Sequence, residues 1–359
     1  MANQRIIGFD LARTYAIFGM FIVNFNIVFG NFSDKTGLNY FLSMFSGNSA
    51  TLFVMLAGMG VALMTNRETY ANEDKIRLRN TILKRALFLF VIGLLLQTFW
   101  PADILHFYGG YMTFAAFLLF IDRKYYLWVS AIAILIFHLL FLFIPFETNW
   151  NFETLHYRNF WTVKGFITNF FYNGWNSVFP WLAFFTTGLY LGRLKWQEPN
   201  TLKRMFIIGL VLYFTVLATQ YLTNNYSNNA DLQQIMNADY LPPFLPFMLS
   251  TTGFGFMLIS FFMYLGNLVA DKKWANNLAQ VGQMTLTHYI SHLTFGLFIF
   301  AEISGKKFTG QEVEQKFVAP EYILLFSVSY FILSFIFTKL WTMKFKNGPF
   351  ETLMRKVSE

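Results

Sequence analysis

The chain contains about ten apolar runs that are each long enough to cross a bilayer, and this pattern constrains the fold more than any other feature. A membrane-spanning helix needs about 20 mostly apolar residues, because the hydrocarbon core is about 30 Å thick. Within that core only helices and closed barrels satisfy every backbone hydrogen bond. The runs predict an all-α polytopic helical bundle that forms a single membrane domain over residues 1–359, with spans near 11–30, 49–65, 82–99, 104–121, 125–144, 176–192, 203–223, 243–266, 278–303 and 320–343.

The composition agrees with a membrane bundle and excludes several kinds of site. Only 13% of the residues are charged and 55% are hydrophobic, whereas soluble domains carry about a quarter charged residues. The chain has no cysteine, so disulfides, thiolate nucleophiles and thiolate metal sites are all excluded. The net charge of +8 comes from short loops between apolar runs, and we therefore expect the lipid bilayer, and no nucleic acid, as a partner.

The distribution of Lys and Arg between the loops predicts the orientation. Cytoplasmic loops are enriched in basic residues, and most of those in this chain fall in alternate loops. With ten spans, both termini are cytoplasmic and the fourth span begins on the external side. The first span lacks a small-residue cleavage site and is expected to be retained. The predicted external loops hold the few remaining loop residues of this type, which are Lys35, Arg158, Lys164, Lys306, Lys307 and Lys316.

Two of the predicted external loops are long. Residues 145–175 are dense in aromatic side chains, which settle at the level of the lipid headgroups. This loop either lies along the outer interface or roofs an external cavity, and its sequence fits both interpretations. Residues 224–240 are rich in Asn and Gln, with one or two helical turns expected at 231–236.

Asp103 and His106 form the strongest candidate for a catalytic pair. Their spacing of three residues lets a carboxylate contact an imidazole on the same face of a helix and orient its ring. Ionisable residues in membrane segments are costly and are usually functional. The structural alternative is that Asp103 simply caps the helix and His106 occupies its polar first turn.

A second pair of histidines lies in the ninth predicted span. His288 and His292 are four residues apart and share a helix face, with His288 near the midplane and His292 in the outer half. Such a pair can bind a metal, but no third ligand is evident, so we expect no metal. Polar packing or contact with substrate is the favoured role. His138, alone on an apolar span, is interpreted as a core histidine.

Charged residues near the predicted cytoplasmic side offer further candidates for binding. Asp10 and Arg13 begin the first span and form either a structural ion bridge or a ligand contact. The basic cluster from Arg67 to Arg85 is explained by topology, yet it also suits a phosphorylated ligand. Lys84 and Arg85 are expected at the start of the third span, where free backbone amides add positive potential.

Several motifs resemble one membrane enzyme family. The opening stretch RIIGFDLAR at residues 5–13, followed by Ala16, Met20 and Asn24, is similar to the start of the transmembrane acyltransferase superfamily, to which heparan-α-glucosaminide N-acetyltransferase belongs. Within that superfamily the chain more closely resembles the YeiB-like family of bacterial inner-membrane proteins. Four later stretches support the resemblance: 104–109, 180–193, 282–289 and 348–355.

The resemblance implies a bundle that takes an acyl group, expected to be acetyl, from cytoplasmic acyl-CoA. The acceptor would be an extracytoplasmic glycan, lipid or small molecule, and the location the bacterial inner membrane. Asp10, Arg13 and Asn24 match the heparan enzyme and are expected to bind substrate or cofactor. The same expectation covers further residues in or beside the motifs and the basic cluster: Arg67, Lys84, Arg85, Tyr108, Trp181, Arg193 and His288. A homo-oligomer stays possible.

One departure from the family determines the choice of catalytic base. The heparan enzyme carries its catalytic histidine in the first non-cytoplasmic loop, whereas this chain has no histidine before His106. Imidazole suits proton removal from an acceptor because its ordinary pKa is about 6.5. His106, with Asp103 holding its tautomer, is the leading replacement, and His292 is its rival. Tyr108, Tyr111 or Asn24 would polarise the thioester carbonyl.

A second class of function fits the same residues. The missing loop histidine and the polar groups inside the first and ninth spans also suit a transporter or binding protein for an amphipathic solute that keeps the fold without acyl transfer. Turnover of acyl-CoA that depends on a histidine separates the enzyme from this alternative.

Overall fold

Long apolar helices make up most of the structure, a computed structural model that describes residues 6–31, 34, 36–67, 69–306 and 317–359. Arg5 of the opening motif and Lys35, Lys307 and Lys316 of the loop analysis lie outside these residues. The α-helices are α1 (Ile7–Phe29), α2 (Gly37–Ser43), α3 (Asn48–Met64), α4 (Asn72–Gln97), α5 (Leu105–Leu118), α6 (Arg123–Phe143), α7 (Val163–Thr168), α8 (Val178–Leu191), α9 (Pro199–Tyr226), α10 (Ala230–Met236), α11 (Leu245–Val269), α12 (Lys273–Gln283), α13 (Thr285–Ser291), α14 (Leu297–Ser304), α15 (Pro320–Thr342) and α16 (Pro349–Ser358).

Short irregular elements complete the fold. Two π-helical turns span Asn169–Asn173 and His292–Gly296, and the strands β1 (Trp150–Asn151) and β2 (His156–Tyr157) pair antiparallel. The one or two helical turns expected at 231–236 are present as α10.

The apolar helices identify a multi-pass membrane protein. Within the described residues, seven helical segments are long and apolar enough to cross a membrane: α1, α2 with α3, α4, α6, α9, α11 and α15. The other three predicted spans correspond to the shorter helices α5 and α8 and to the interrupted series α12 to α14. The all-α prediction is confirmed, while the count of ten spans and the cytoplasmic termini stay predictions.

The prediction of one continuous helix over 278–303 is wrong. The helix breaks at Met284, whose backbone leaves the helical region (φ −113°, ψ 33°), and it widens again into the π turn after Ser291. The backbone N–H groups that the break leaves without helical partners find one elsewhere: those of Leu286 and Thr287 donate to the carboxylate of Glu351, at 2.8 and 3.1 Å. The hydropathy of residues 278–303 does not reveal such a partner, because each of these residues is compatible with a membrane-spanning helix.

The core is built around α1, which is buried along most of its length and packs against α3, α11, α12 and α15. Small residues bring the neighbouring helices close together, as is usual in membranes. A Cβ at Gly58 would overlap the carbonyl oxygen of Phe185, and one at Gly188 would overlap that of Met55. The backbones of α3 and α8 are therefore in direct contact.

The loop between α6 and α8 folds over one end of the bundle and is organised by Asn173. The Asn173 side chain donates to the carbonyl oxygens of Phe146 (2.9 Å) and Thr148 (2.8 Å) and accepts from the hydroxyl of Tyr157 (2.9 Å). Its backbone carbonyl accepts from the indole of Trp150 at 2.6 Å. Burial raises the pKa of the Tyr157 phenol, so the hydroxyl keeps its proton and its role as donor.

We expect Gly188→Ala to destabilise the protein by about 1–3 kcal/mol, because overpacking forces α3 and α8 apart. Gly255→Ala is the matched control, since a Cβ there meets only the flexible end of the Met55 side chain. Thermal unfolding of the protein in detergent micelles measures the difference. Equal melting temperatures for the two variants would contradict a direct backbone contact at Gly188.

Candidate active site

Asp103 and His106 form a fully buried pair at the start of α5. One carboxylate oxygen, Oδ2, accepts hydrogen bonds from both the backbone N–H and the ring Nδ1 of His106, each at 3.0 Å. The same carboxylate therefore caps the helix and orients the ring, so the two interpretations of the sequence coexist. The predicted contact between the two side chains is present.

Tyr289 of α13 completes the environment of this carboxylate. Its hydroxyl donates to Asp103 Oδ1 at 3.2 Å and accepts from the backbone N–H of Ile104 at 3.2 Å. Gly93 of α4 lies directly behind the pair, because a Cβ there would overlap the backbone nitrogen of His106. Residues from α4, α5 and α13 thus meet at one buried carboxylate.

The remaining ring nitrogen of His106, Nε2, faces a different environment from Nδ1. Nε2 is buried and has no hydrogen-bond partner within the part of the chain that the structure describes. In the neutral tautomer that donates Nδ1–H to Asp103, Nε2 carries a lone pair and can accept a hydrogen bond. The ring packs against Phe107, Phe160 and Phe170, with centroids 3.9, 5.9 and 6.2 Å away.

His292 and His288 contact different helices. His292 Nε2 accepts from the side-chain amide of Asn24 on α1 at 2.8 Å, and its Nδ1 donates to the backbone carbonyl of His288 at 3.2 Å. The Nε2 of His288 contacts the hydroxyl of Thr338 on α15 at 2.8 Å. Among the described residues no group of three or more His, Asp or Glu is arranged to hold a metal ion.

A cavity of about 240 Å³ lies beside both histidine sites, under the loop between α6 and α8. Asn24, which holds His292, and Tyr289, which holds Asp103, both line it. His106 and His292 do not line it, so each imidazole is separated from the cavity by one layer of side chains. Phe152, Leu155 and Trp175 of the loop also line the cavity, so the loop acts as a roof, the second of its two predicted roles.

Two more predicted residues support this region. Trp181 is fully buried and packs against Tyr240, which lines the cavity. The hydroxyl of Tyr108 is buried without a hydrogen-bond partner in the described ranges, whereas Tyr111 donates to the carbonyl of Asn176. Sequence reasoning missed the wall residues Asn176 and Tyr240, because neither lies in a motif that predicts a cavity.

A second cavity, of about 510 Å³, opens at the opposite end of the bundle and is basic. Arg67, Lys75, Arg123 and Arg193 line it together with Asp122. Arg193 is held in place by four hydrogen bonds: Nη1 donates to Thr65 O (2.5 Å) and Asn66 Oδ1 (3.3 Å), and Nη2 donates to Thr65 Oγ1 (2.9 Å) and Leu119 O (2.9 Å).

The other predicted basic residues lie outside this cavity. Lys84 is exposed on α4, and its position well inside α4 differs from the expected helix start. Arg85 donates to Ser358 Oγ and to Glu359 Oε1, each at 3.2 Å, and so holds the end of α16. The amide potential expected at a helix N-terminus therefore does not act on either side chain.

Asp10 and Arg13 form the predicted ion bridge. Arg13 Nη1 lies 3.1 Å from Asp10 Oδ1, and the side chain of Gln283 on α12 donates to Asp10 Oδ2 at 3.2 Å. The cluster joins α1 to α12 where the two helices touch, since a Cβ at Gly282 would overlap the carbonyl oxygen of Asp10. A ligand contact at these residues stays a prediction.

Glu351 lies in the motif at 348–355, and sequence reasoning missed its structural role. Its carboxylate accepts from Leu286 N, Thr287 N and the Thr287 hydroxyl, the last at 2.5 Å. Burial raises the pKa of this carboxyl, and the hydrogen bonds from Thr287 act in the opposite direction. The motifs at 282–289 and 348–355 therefore meet in one set of hydrogen bonds between Glu351 and residues 286–287, which we call the Glu351 joint. The spacing of the motifs in the sequence does not reveal this contact.

Fold and site together define the class of protein: a multi-pass membrane protein with a buried Asp–His pair and a cavity at each end of its bundle. Residues 5–219 match the family model described as heparan-alpha-glucosaminide N-acetyltransferase, catalytic. The chain belongs to this family, which confirms the resemblance to the superfamily. Residues 191–359 match a second model, protein of unknown function (DUF418), the YeiB-like family. A search of curated proteins found no match.

We expect Tyr289→Phe to destabilise the protein by about 1–3 kcal/mol, because it leaves the buried N–H of Ile104 without an acceptor. Tyr322→Phe, which removes a hydroxyl from an exposed tyrosine on α15, is the control. Both are measured by thermal unfolding in micelles. If the melting temperature of the Tyr289→Phe variant equals that of the wild type, the Tyr289 hydroxyl does not stabilise the start of α5.

Proposed function

We propose that the protein is a membrane acetyltransferase that uses His106 as general base and Asp103 to orient it. One observation carries the proposal: His106 Nδ1 contacts Asp103 at 3.0 Å while the buried Nε2 has no partner in the described part of the chain. A buried polar atom without a hydrogen bond is costly and calls for an explanation. An acceptor group that donates its proton to Nε2 during the reaction supplies one.

The proposed chemistry follows from this arrangement. His106 Nε2 removes the proton from an acceptor hydroxyl or amine as that group attacks the thioester carbonyl. The C–S bond then breaks, and the imidazolium returns the proton to the departing thiolate. Asp103 stabilises the imidazolium through Nδ1, as a carboxylate does in a catalytic triad. Tyr108, with its unpartnered buried hydroxyl, is the proposed donor to the carbonyl oxygen.

His292 is the weaker candidate for the base. Its Nε2 lone pair is already occupied by the amide of Asn24 at 2.8 Å, and its Nδ1 proton is donated to a backbone carbonyl instead of a carboxylate. We therefore assign His292 and Asn24 to the wall of the acceptor cavity, with His288 behind them. The role of His106 requires Ile104 and Tyr289, which line that cavity, to shift when the acceptor binds.

The basic cavity at the opposite end is the proposed site for the phosphate groups of acetyl-CoA. Arg193 is immobilised by its hydrogen bonds, and Arg67, Lys75 and Arg123 add positive charge around an opening of about 510 Å³. Lys84, Arg85, Asp10 and Arg13 remain predicted secondary contacts for the donor. In this proposal the basic end faces the cytoplasm of a bacterium, both termini are cytoplasmic, and the acceptor cavity faces outward across the inner membrane.

One feature of the cavity favours the transport or binding alternative. It is lined mainly by apolar side chains, including Met20, Val23 and Ile27, and neither histidine reaches its surface. A cavity of this kind can hold an amphipathic solute without any chemistry. Acceptor movement without consumption of acetyl-CoA would favour this alternative over acetyl transfer.

We expect His106→Gln to lower kcat for thioester turnover about 10²- to 10⁴-fold, the usual contribution of a general base. The purified protein in micelles is assayed for release of free CoA from acetyl-CoA. His138→Gln is the matched control, because that histidine hydrogen-bonds the carbonyl of Ile134 in its own helix, packs against Phe244 and lines neither of the two cavities. Full turnover by His106→Gln with loss in His292→Gln would reverse the assignment of the base.

We expect Arg123→Gln to raise KM for acetyl-CoA about three- to tenfold with kcat unchanged, because a charge-assisted contact to phosphate is lost. Lys124→Gln is a close control: the two residues are adjacent and exposed, and only Arg123 lines the basic cavity. The KM difference should shrink at high salt. Equal KM values for the two variants would place the donor head elsewhere.

A further inference from the structure

The carboxylate of Glu351 is joined to the first turn of α13 by three hydrogen bonds. It accepts from the backbone N–H groups of Leu286 and Thr287 at 2.8 and 3.1 Å and from the hydroxyl of Thr287 at 2.5 Å. The backbone N–H of Phe350 donates in turn to that hydroxyl at 3.2 Å. The start of α16 and the start of α13 are therefore held together by hydrogen bonds in both directions.

The break at Met284 makes this joint necessary. The first N–H groups of any helix lack partners inside the helix and must find them elsewhere. At α13 two of those groups donate to Glu351, which lies about 65 residues further along the chain. Gly348 permits the close approach, since a Cβ there would lie 2.7 Å from the Thr287 hydroxyl oxygen.

Helix α13 also contacts the proposed catalytic pair, through Tyr289. Tyr289 lies one turn after Leu286, and its hydroxyl bonds Asp103 and the backbone of Ile104, each at 3.2 Å. Asp103 in turn holds both the backbone and the ring of His106. The position of α13 therefore sets where the Tyr289 hydroxyl meets the carboxylate.

We propose that Glu351 is a positioning residue for the Asp103–His106 pair, acting from the opposite end of α13 through Tyr289. The inference rests on the proposed function, because it assigns Glu351 to the geometry of that same reaction. Glu351 does not touch the pair or the cavities, so its effect is on placement and not on the chemical step itself.

The proposed role of Glu351 is distinct from attaching α16 to the bundle, because other residues of α16 make that attachment. Arg85 holds the far end of α16 through Ser358 and Glu359 and makes no contact with α13. Within the described residues Glu351 has no ion pair with Lys or Arg, so its acceptors are used entirely by N–H and O–H donors. An amide in place of the carboxylate can keep these contacts, because the Thr287 hydroxyl can turn to accept.

The test compares Glu351→Ala, Glu351→Gln and Tyr289→Phe with a control on the same helix, Thr352→Val. Among the described residues, the Thr352 hydroxyl donates to the backbone carbonyls of Asn347 and Gly348 beside it and to no other group. Hydrogen–deuterium exchange of the full chain in micelles is measured for residues 285–292 and for residues 103–107. In parallel, kcat and KM are measured for release of CoA from acetyl-CoA.

We expect Glu351→Ala to speed exchange in both segments, Tyr289→Phe to speed it in 103–107, and Thr352→Val to change neither. In turnover, Glu351→Ala should lower kcat about tenfold or more with little change in KM, the effect of misplacing a catalytic group. Glu351→Gln should restore most of the rate. The double variant of Glu351→Ala with Tyr289→Phe should be no slower than the more impaired single variant, because both act along one path.

Exchange that rises in neither segment, or in 285–292 alone, overturns the inference. So does full additivity of the two substitutions. If Glu351→Ala does not fold, Thr287→Val removes one contact of the joint and should give the same pattern with smaller changes. Absence of turnover in the wild type would instead contradict the proposed function, and the exchange in 103–107 would still decide whether Glu351 controls the position of the pair.

Discussion

The carboxylate of Asp103 is the interaction on which the rest of the site depends. A carboxylate buried in a bundle of apolar helices is tolerated only when several donors surround it. Here those donors are the backbone and ring of His106 and the hydroxyl of Tyr289. Because they belong to different parts of the chain, the need to satisfy one buried group fixes the relative placement of α5 and α13. The close approach of α4 at Gly93 completes the enclosure.

Much of the fold follows from the sequence because a bilayer makes hydropathy informative. The apolar runs predicted α1, α4, α6, α9, α11 and α15, and the spacing of three residues predicted the contact between Asp103 and His106. What failed was the continuous ninth span. The N–H groups at its break are satisfied by Glu351, a partner 65 residues away, and local composition carries no information about so distant a hydrogen bond. The contacts of His288 with Thr338 and of His292 with Asn24 also join distant parts of the chain, and their spacing of four residues could not name these partners.

The two cavities were less accessible to sequence reasoning than the histidines. Their walls come from loops whose side chains meet only in the folded chain, such as Trp175 and Tyr240 at one end and Tyr70 and Asp122 at the other. Helix α3 connects them: Ser49 near its start lines one cavity and Thr65 just after its end lines the other. Its 17 residues span about 26 Å, and the side chains between are largely buried. In the proposed reaction, donor and acceptor would therefore have to meet across this buried layer.

The hydrogen bonds of Asn173 have a mechanical consequence for access to the cavity. One side chain ties together the end of α6, the hairpin strand and the π turn, and its carbonyl holds Trp150 as well. Because the same residue holds all three segments, loss of the Asn173 side chain would release them together and uncover the cavity wall formed by Phe152, Leu155 and Trp175.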